Sequence, residues 1–163
     1  YPYVRDNVDE IITVEDEELI VSFLDMVENH KMVVENSGLL TVAALKHLPP
    51  ENKRVVSILS GGNMDVITMS SVVQHGLIQR GRIFTVCVLL PDRPGMLLSV
   101  ASIIARENGN VIKLEHNQFV STNRNAAVEL RVTVEAFGED HKRQIVDALE
   151  AGGFDPSIVQ TSL

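Results

Sequence analysis

The sequence predicts an α+β protein in two parts: an incomplete α/β segment, then a complete small domain ordered strand, helix, strand, strand, helix, strand. Three observations predict this. Residues 82–110 join an alternating apolar run, a Pro/Gly turn and an amphipathic stretch stopped by Asn108-Gly109. Val128, Leu130, Val132 and Val134 alternate with polar residues in the clearest strand pattern of the chain. Before residue 81, β-branched runs alternate with helical patterns, but the strands are too few for a finished doubly wound sheet.

In the first part, residues 10–14 (EIITV) read as a short buried strand. Thr13 with Asp16 fits a capping box, and Glu15 to Glu18 place negative charge where a helix start favours it. Leu19, Ile20, Phe23, Leu24 and Val27 then share one helical face. Residues 39–48 form a second helix, ended by Pro49-Pro50. Residues 54–59 (RVVSIL) read as a strand buried on both faces, running into Ser60, Gly61, Gly62 and Asn63. Small residues after a strand put backbone N–H groups at the edge where α/β sheets hold ligands. Residues 64–79 are apolar enough for a helix or an extended connector, and Arg80-Gly81 marks a boundary.

In the second part, Phe84, Val86, Val88 and Leu90 share one side of a strand, and Ile83, Cys87 and Leu89 the other. That strand is expected to be central and covered on both faces, which a domain this small achieves only with a partner, by pairing through the sheet that carries Phe84. A helix is expected from Pro94 to about residue 107, with Leu97, Leu98, Val100, Ile103 and Ile104 on its apolar stripe. Residues 110–120 give a second strand, 121–125 a hairpin loop and 126–136 a third strand with Glu129, Arg131, Thr133 and Glu135 facing out. A helix over 139–151 and a strand over 154–160 complete the set. The order is the split βαβ arrangement of ferredoxin-like domains, with both helices on one face of an antiparallel sheet.

Composition narrows the function classes. The chain has 163 residues, a formal net charge of −8 and no basic cluster, so a nucleic-acid surface is not expected. It has no apolar run of membrane-spanning length and opens at Tyr1 without a secretory leader, so a cytoplasmic protein off the membrane, cut from something longer, is the expectation. Cys87 is the only cysteine and the five histidines lack ligand spacing, so no metal site is expected.

Two resemblances sharpen this. Asp92-Arg93-Pro94-Gly95 followed by Leu97, with Asn108-Gly109-Asn110-Val111-Ile112 entering the next strand, resembles an ACT domain, the amino-acid-sensing module of metabolic enzymes. Val33-Val34-Glu35-Asn36-Ser37-Gly38 and Val55 to Asn63 resemble the carboxyl-terminal part of the pyridoxal-phosphate-dependent catalytic domain, of fold type II, of threonine ammonia-lyases (threonine dehydratases) and serine dehydratases. The resemblance implies that residues 1–63 are a catalytic fragment, 64–81 a connector and 82–163 an ACT regulatory domain. It also implies that Ser60, with Gly61, Gly62 and Asn63, meets the pyridine nitrogen of the cofactor in the intact parent. An effector (isoleucine, valine, threonine, serine or AMP) is expected against Asp92, Arg93, Pro94, Gly95, Met96 and Leu97, with Asn110 and Val111 given by a paired copy; the resemblance equally allows a domain that binds no effector and only pairs. The family's Schiff-base lysine motif and glycine cradle are missing from this chain, so it is expected to have no catalytic residues, to hold no pyridoxal phosphate and to be inert alone. The alternative is a stand-alone amino-acid-binding or dimerisation module.

Overall fold

A computed structural model describes residues 1–50, 54–117 and 128–162. The chain divides into two compact units, Tyr1–Gly76 and Leu77–Leu163.

The first unit is helical among its described residues. A short exposed α1 (Pro2–Asn7) precedes α2 (Asp16–Asp25), which runs into a π-helical turn closed by Lys31 in the left-handed region. α3 (Asn36–Ala43) continues as a 3-10 turn, and α4 (Val66–Gln79) follows. Phe23 and Leu39 are fully buried among Leu19, Met26, Val34, Ala43 and Val72. Gly76 lets α4 pass against α2, since a Cβ there would fall 2.5 Å from Leu24. α4 is capped by Asp65, whose carboxylate accepts the backbone N–H groups of Ile67 and Thr68.

Three expectations fail in this unit. The capping box of α2 is built by Glu15 and Glu18, not by Thr13 and Asp16: the Glu15 N–H donates to Glu18 Oε2 at 2.8 Å. Residues 10–14 and 54–59 carry no strand, and Val56 and Ile58 are 88% and 73% exposed. A strand buried on both faces requires neighbours on each side, and the described residues here supply none. Residues 57 and 58 are instead tied to α3, where Thr41 Oγ1 donates to the Ile58 carbonyl and Ser57 Oγ to the Thr41 carbonyl.

The second unit holds β1 (Ile83–Leu90), α5 (Met96–Arg106), β2 (Asn110–Asn117), β3 (Val128–Glu135), α6 (Glu139–Ala151) and β4 (Pro156–Val159). The four strands lie in the order β2-β3-β1-β4, every pair antiparallel, which is the ferredoxin-like topology. Phe84, Val86, Val88 and Leu90 meet Leu130, Val132 and Val134 and the fully buried Val100, Ile104, Ile145 and Leu149 of the two helices, so both helices cover one face. His141 joins the helices. Its Nδ1 accepts the Phe137 N–H at 3.0 Å and its Nε2 donates to the Glu107 carbonyl at 2.5 Å, which fixes the tautomer.

The differences here are local. β1 is central, as its composition predicts, but only one face is fully covered: on the other, Thr85 is buried while Leu89 is 60% exposed. Pro94 lies outside α5, because Gly95 (φ 92°) caps the helix and Met96 begins it. Leu98 of the expected stripe is 68% exposed. Glu129 and Thr133 are buried rather than solvent-facing, since Glu129 pairs with Arg131 and Thr133 with Thr85. The expected hairpin at 121–125, and the expected strand residues 118–120, 126 and 127, lie outside the described residues.

Two outcomes follow from packing and charge. Ile104→Ala is expected to lower the unfolding free energy by about 2–5 kcal/mol, against less than about 0.5 kcal/mol for Leu98→Ala, measured by chemical denaturation. Lys46, the Glu15 N–H and His47 together hold the Glu18 carboxyl down from 4.5 to about 2. A depressed acid stabilises the fold above its unfolded value and loses that contribution as pH falls from about 4.5 toward about 2. Glu18→Gln is expected to flatten that acid limb in a pH series of thermal melts; an unchanged limb would contradict it.

Candidate functional site

The turn after β1 is set by its own backbone. Arg93 N–H donates to the Pro91 carbonyl at 2.8 Å, closing a tight bend. Gly95 then takes a positive φ, which L side chains adopt at a cost of about 1–2 kcal/mol, while a Cβ there would meet nothing within 4 Å. Backbone conformation, not space, therefore asks for glycine at this position. Ser99 satisfies the Gly95 carbonyl through both its N–H and its hydroxyl, so the start of α5 is pinned to the turn.

Beneath the turn is an open cavity of about 340 Å³. The structure brings Asp92, Arg93, Pro94, Gly95, Met96 and Leu97 together around it. It adds His116, which sequence reasoning missed. His116 stands opposite Leu130 near the end of β2, and its only sequence signal is its place in the strand alternation. Asn110 and Val111 are not brought to the cavity. They open β2, where Asn110 Nδ2 donates to Glu135 Oε2 at 3.1 Å, and six residues of extended chain put Asn110 about 20 Å from His116.

The second set of predicted residues is in the first unit. Ser60, Gly61, Gly62 and Asn63 form an exposed turn against the start of α3. Glu35 organises it: its N–H donates to the Gly61 carbonyl, its Oε2 accepts the Asn63 N–H at 3.1 Å, and its Oε1 accepts the Ser37 hydroxyl at 2.7 Å. The fit is close enough that a Cβ on Gly38 would overlap the Ser60 carbonyl. The described lysines of this unit are engaged elsewhere, Lys31 with the Glu28 carbonyl and Lys46 with Glu18. Among the described residues there is no group of three or more His, Cys, Asp or Glu placed to hold a metal ion, and no helix long and apolar enough to cross a membrane.

No family model matches the chain. It is 33% identical over 156 residues to an L-threonine ammonia-lyase of Geobacter sulfurreducens, covering 94% of this chain and 39% of that protein. It is 31% identical over 160 residues to an L-threonine ammonia-lyase of Thermotoga maritima, covering 98% of this chain and 40% of that protein. A biosynthetic L-threonine dehydratase of Haemophilus influenzae is 30% identical over 151 residues, of which this chain spans 28%. Among solved structures, prephenate dehydratase from Streptococcus mutans is similar with a TM-score of 0.40 and 21% identity, over 47% of this chain and 40% of that one. The ligand-free regulatory subunit of aspartate kinase from Thermus thermophilus gives a TM-score of 0.36 and 16% identity, over 48% of this chain and 49% of that one. The chain spans about two fifths or less of the length of these sequence relatives. By sequence it is related to a carboxyl-terminal part of the threonine ammonia-lyases.

Proposed function

We propose that the chain is the regulatory end, with a catalytic remnant, of a cytoplasmic pyridoxal-phosphate-dependent threonine dehydratase, the whole protein converting threonine to 2-oxobutanoate and ammonia. Residues 82–163 are its ACT domain, 64–81 the connector and 1–63 the tail of the catalytic domain. The observation that carries the reading is the cavity at the turn between β1 and α5, inside a ferredoxin-like unit of a threonine ammonia-lyase relative. Such a cavity suits a small amino acid. The first-turn N–H groups of α5 fit a carboxylate, Asp92 an ammonium group, and the largely apolar wall an aliphatic side chain.

The site gains its missing half from a second copy. β2 is an edge strand whose Val111, Ile112 and Leu114 are exposed, an arrangement that invites strand pairing. Antiparallel β2–β2 association across a twofold axis sets the partner's Asn110 and Val111 beside His116 and the turn. A ligand bridging two copies would then bias their packing, and through it the catalytic part.

In the first unit, the exposed Ser60 hydroxyl on its Glu35-braced turn fits a contact to the cofactor's pyridine nitrogen. The lysine needed for covalent attachment is not met at this turn, so no catalytic step is assigned to this chain. Val55, Val56 and Ile58, exposed here, would pair with strands from the remainder of the catalytic domain.

Calorimetric titration with isoleucine, valine, threonine, serine and AMP is expected to give saturable heat with a small amino acid, and Asp92→Ala to weaken it about tenfold or more. No heat and no thermal shift with any of the five would leave only a pairing role. Leu114→Lys is expected to move the sedimentation profile from dimer toward monomer; a wild-type chain that stays monomeric at all concentrations contradicts the β2 interface.

A further inference from the structure

We propose that the face of the sheet opposite the helices carries a separate binding site for a small oxyanion, a carboxylate or a phosphate. The strand register sets out the site. One row across the sheet is Lys113, Thr133, Thr85 and Val159, and the next is Glu115, Arg131, Cys87 and Ser157. An open cavity of about 390 Å³ lies over these rows, with Lys113, Arg131, Thr85 and Thr133 in its wall. The threonines are 5% and 3% exposed, although no helix covers this face.

The donors here are not all used. Thr85 and Thr133 are joined by one hydrogen bond of 2.9 Å, so one of their two hydroxyl hydrogens is left to point elsewhere. Lys113 has three N–H donors, of which Glu115 Oε1 and the Ser162 carbonyl, each at 3.2 Å, take two. Arg131 gives its Nε–H to Glu129, and the guanidinium carries four further N–H groups. An ammonium, a guanidinium and a hydroxyl facing one cavity match an anionic oxygen acceptor. Glu115 also lines the cavity, but its ion pair with Lys113 is exposed and of little worth, so an incoming anion displaces it from Lys113 at small cost. The site does not share residues with the cavity at the turn 92–97, so either can fail without the other.

The test is an NMR titration of the full chain with inorganic phosphate and, separately, with acetate, at constant ionic strength with chloride as the reference. Saturable shifts centred on Thr85, Lys113 and Thr133 are expected. They should weaken about tenfold in Lys113→Gln, whose half-exposed side chain can be replaced without loss of fold, and in Thr133→Val. Tighter phosphate binding assigns the site to a phosphorylated ligand, and tighter acetate binding to a carboxylate. The proposal is overturned if neither anion gives saturable shifts, if the shifts centre elsewhere, or if Lys113→Gln leaves them unchanged.

Discussion

The second unit depends on the pairing of β1 with β3. Eight residues of each strand face one another in unbroken antiparallel register, from Ile83 opposite Glu135 to Leu90 opposite Val128. Because side chains alternate with a period of two, that register puts Phe84, Val86, Val88, Leu130, Val132 and Val134 on the helix side. A slip of one residue would turn this apolar set to solvent, at roughly 1.5–3 kcal/mol for each large side chain exposed. The same pairing ends β1 at the cavity and places the two threonines on the opposite face. Both candidate sites of this unit therefore inherit their geometry from one strand pair.

How much of this was legible in the sequence depended on how local the cause was. The six elements of the second unit were readable because alternation and helical stripes are properties of neighbouring residues. The sequence pattern starts α5 at Pro94, two residues before Met96, because whether Gly95 takes a positive φ and caps the helix depends on how the bend closes. Glu129 and Thr133 are buried for reasons that alternation does not carry: Glu129 pairs with Arg131 of its own strand, and Thr133 meets Thr85, 48 residues away. His116 was invisible as a site residue, since β2 is brought near the turn by way of β3 rather than by sequence. In the first unit, residues 10–14 and 54–59 had strand composition without strands. β-branched runs describe what would suit a sheet, and only neighbours make one.

The first unit has a different logic. Its helices bury a modest core around Phe23 and Leu39, and its turn of small residues is held by one carboxylate, Glu35, which takes the Asn63 N–H and the Ser37 hydroxyl. Val55, Val56 and Ile58 stand exposed beside this close-packed turn, and in the proposed reading their remaining contacts lie in a larger catalytic domain. The relation to proteins of more than twice this length supports that reading.

In the proposed reading two copies share each effector site, one giving the turn at Asp92 and the other Asn110. Mixing Asp92→Ala chains with Asn110→Ala chains tests it most directly. Each variant alone should bind the effector poorly, and a refolded equal mixture should regain tight binding at about one site in four, the intact site of each mixed dimer. A mixture that binds no better than its parents would contradict the shared site.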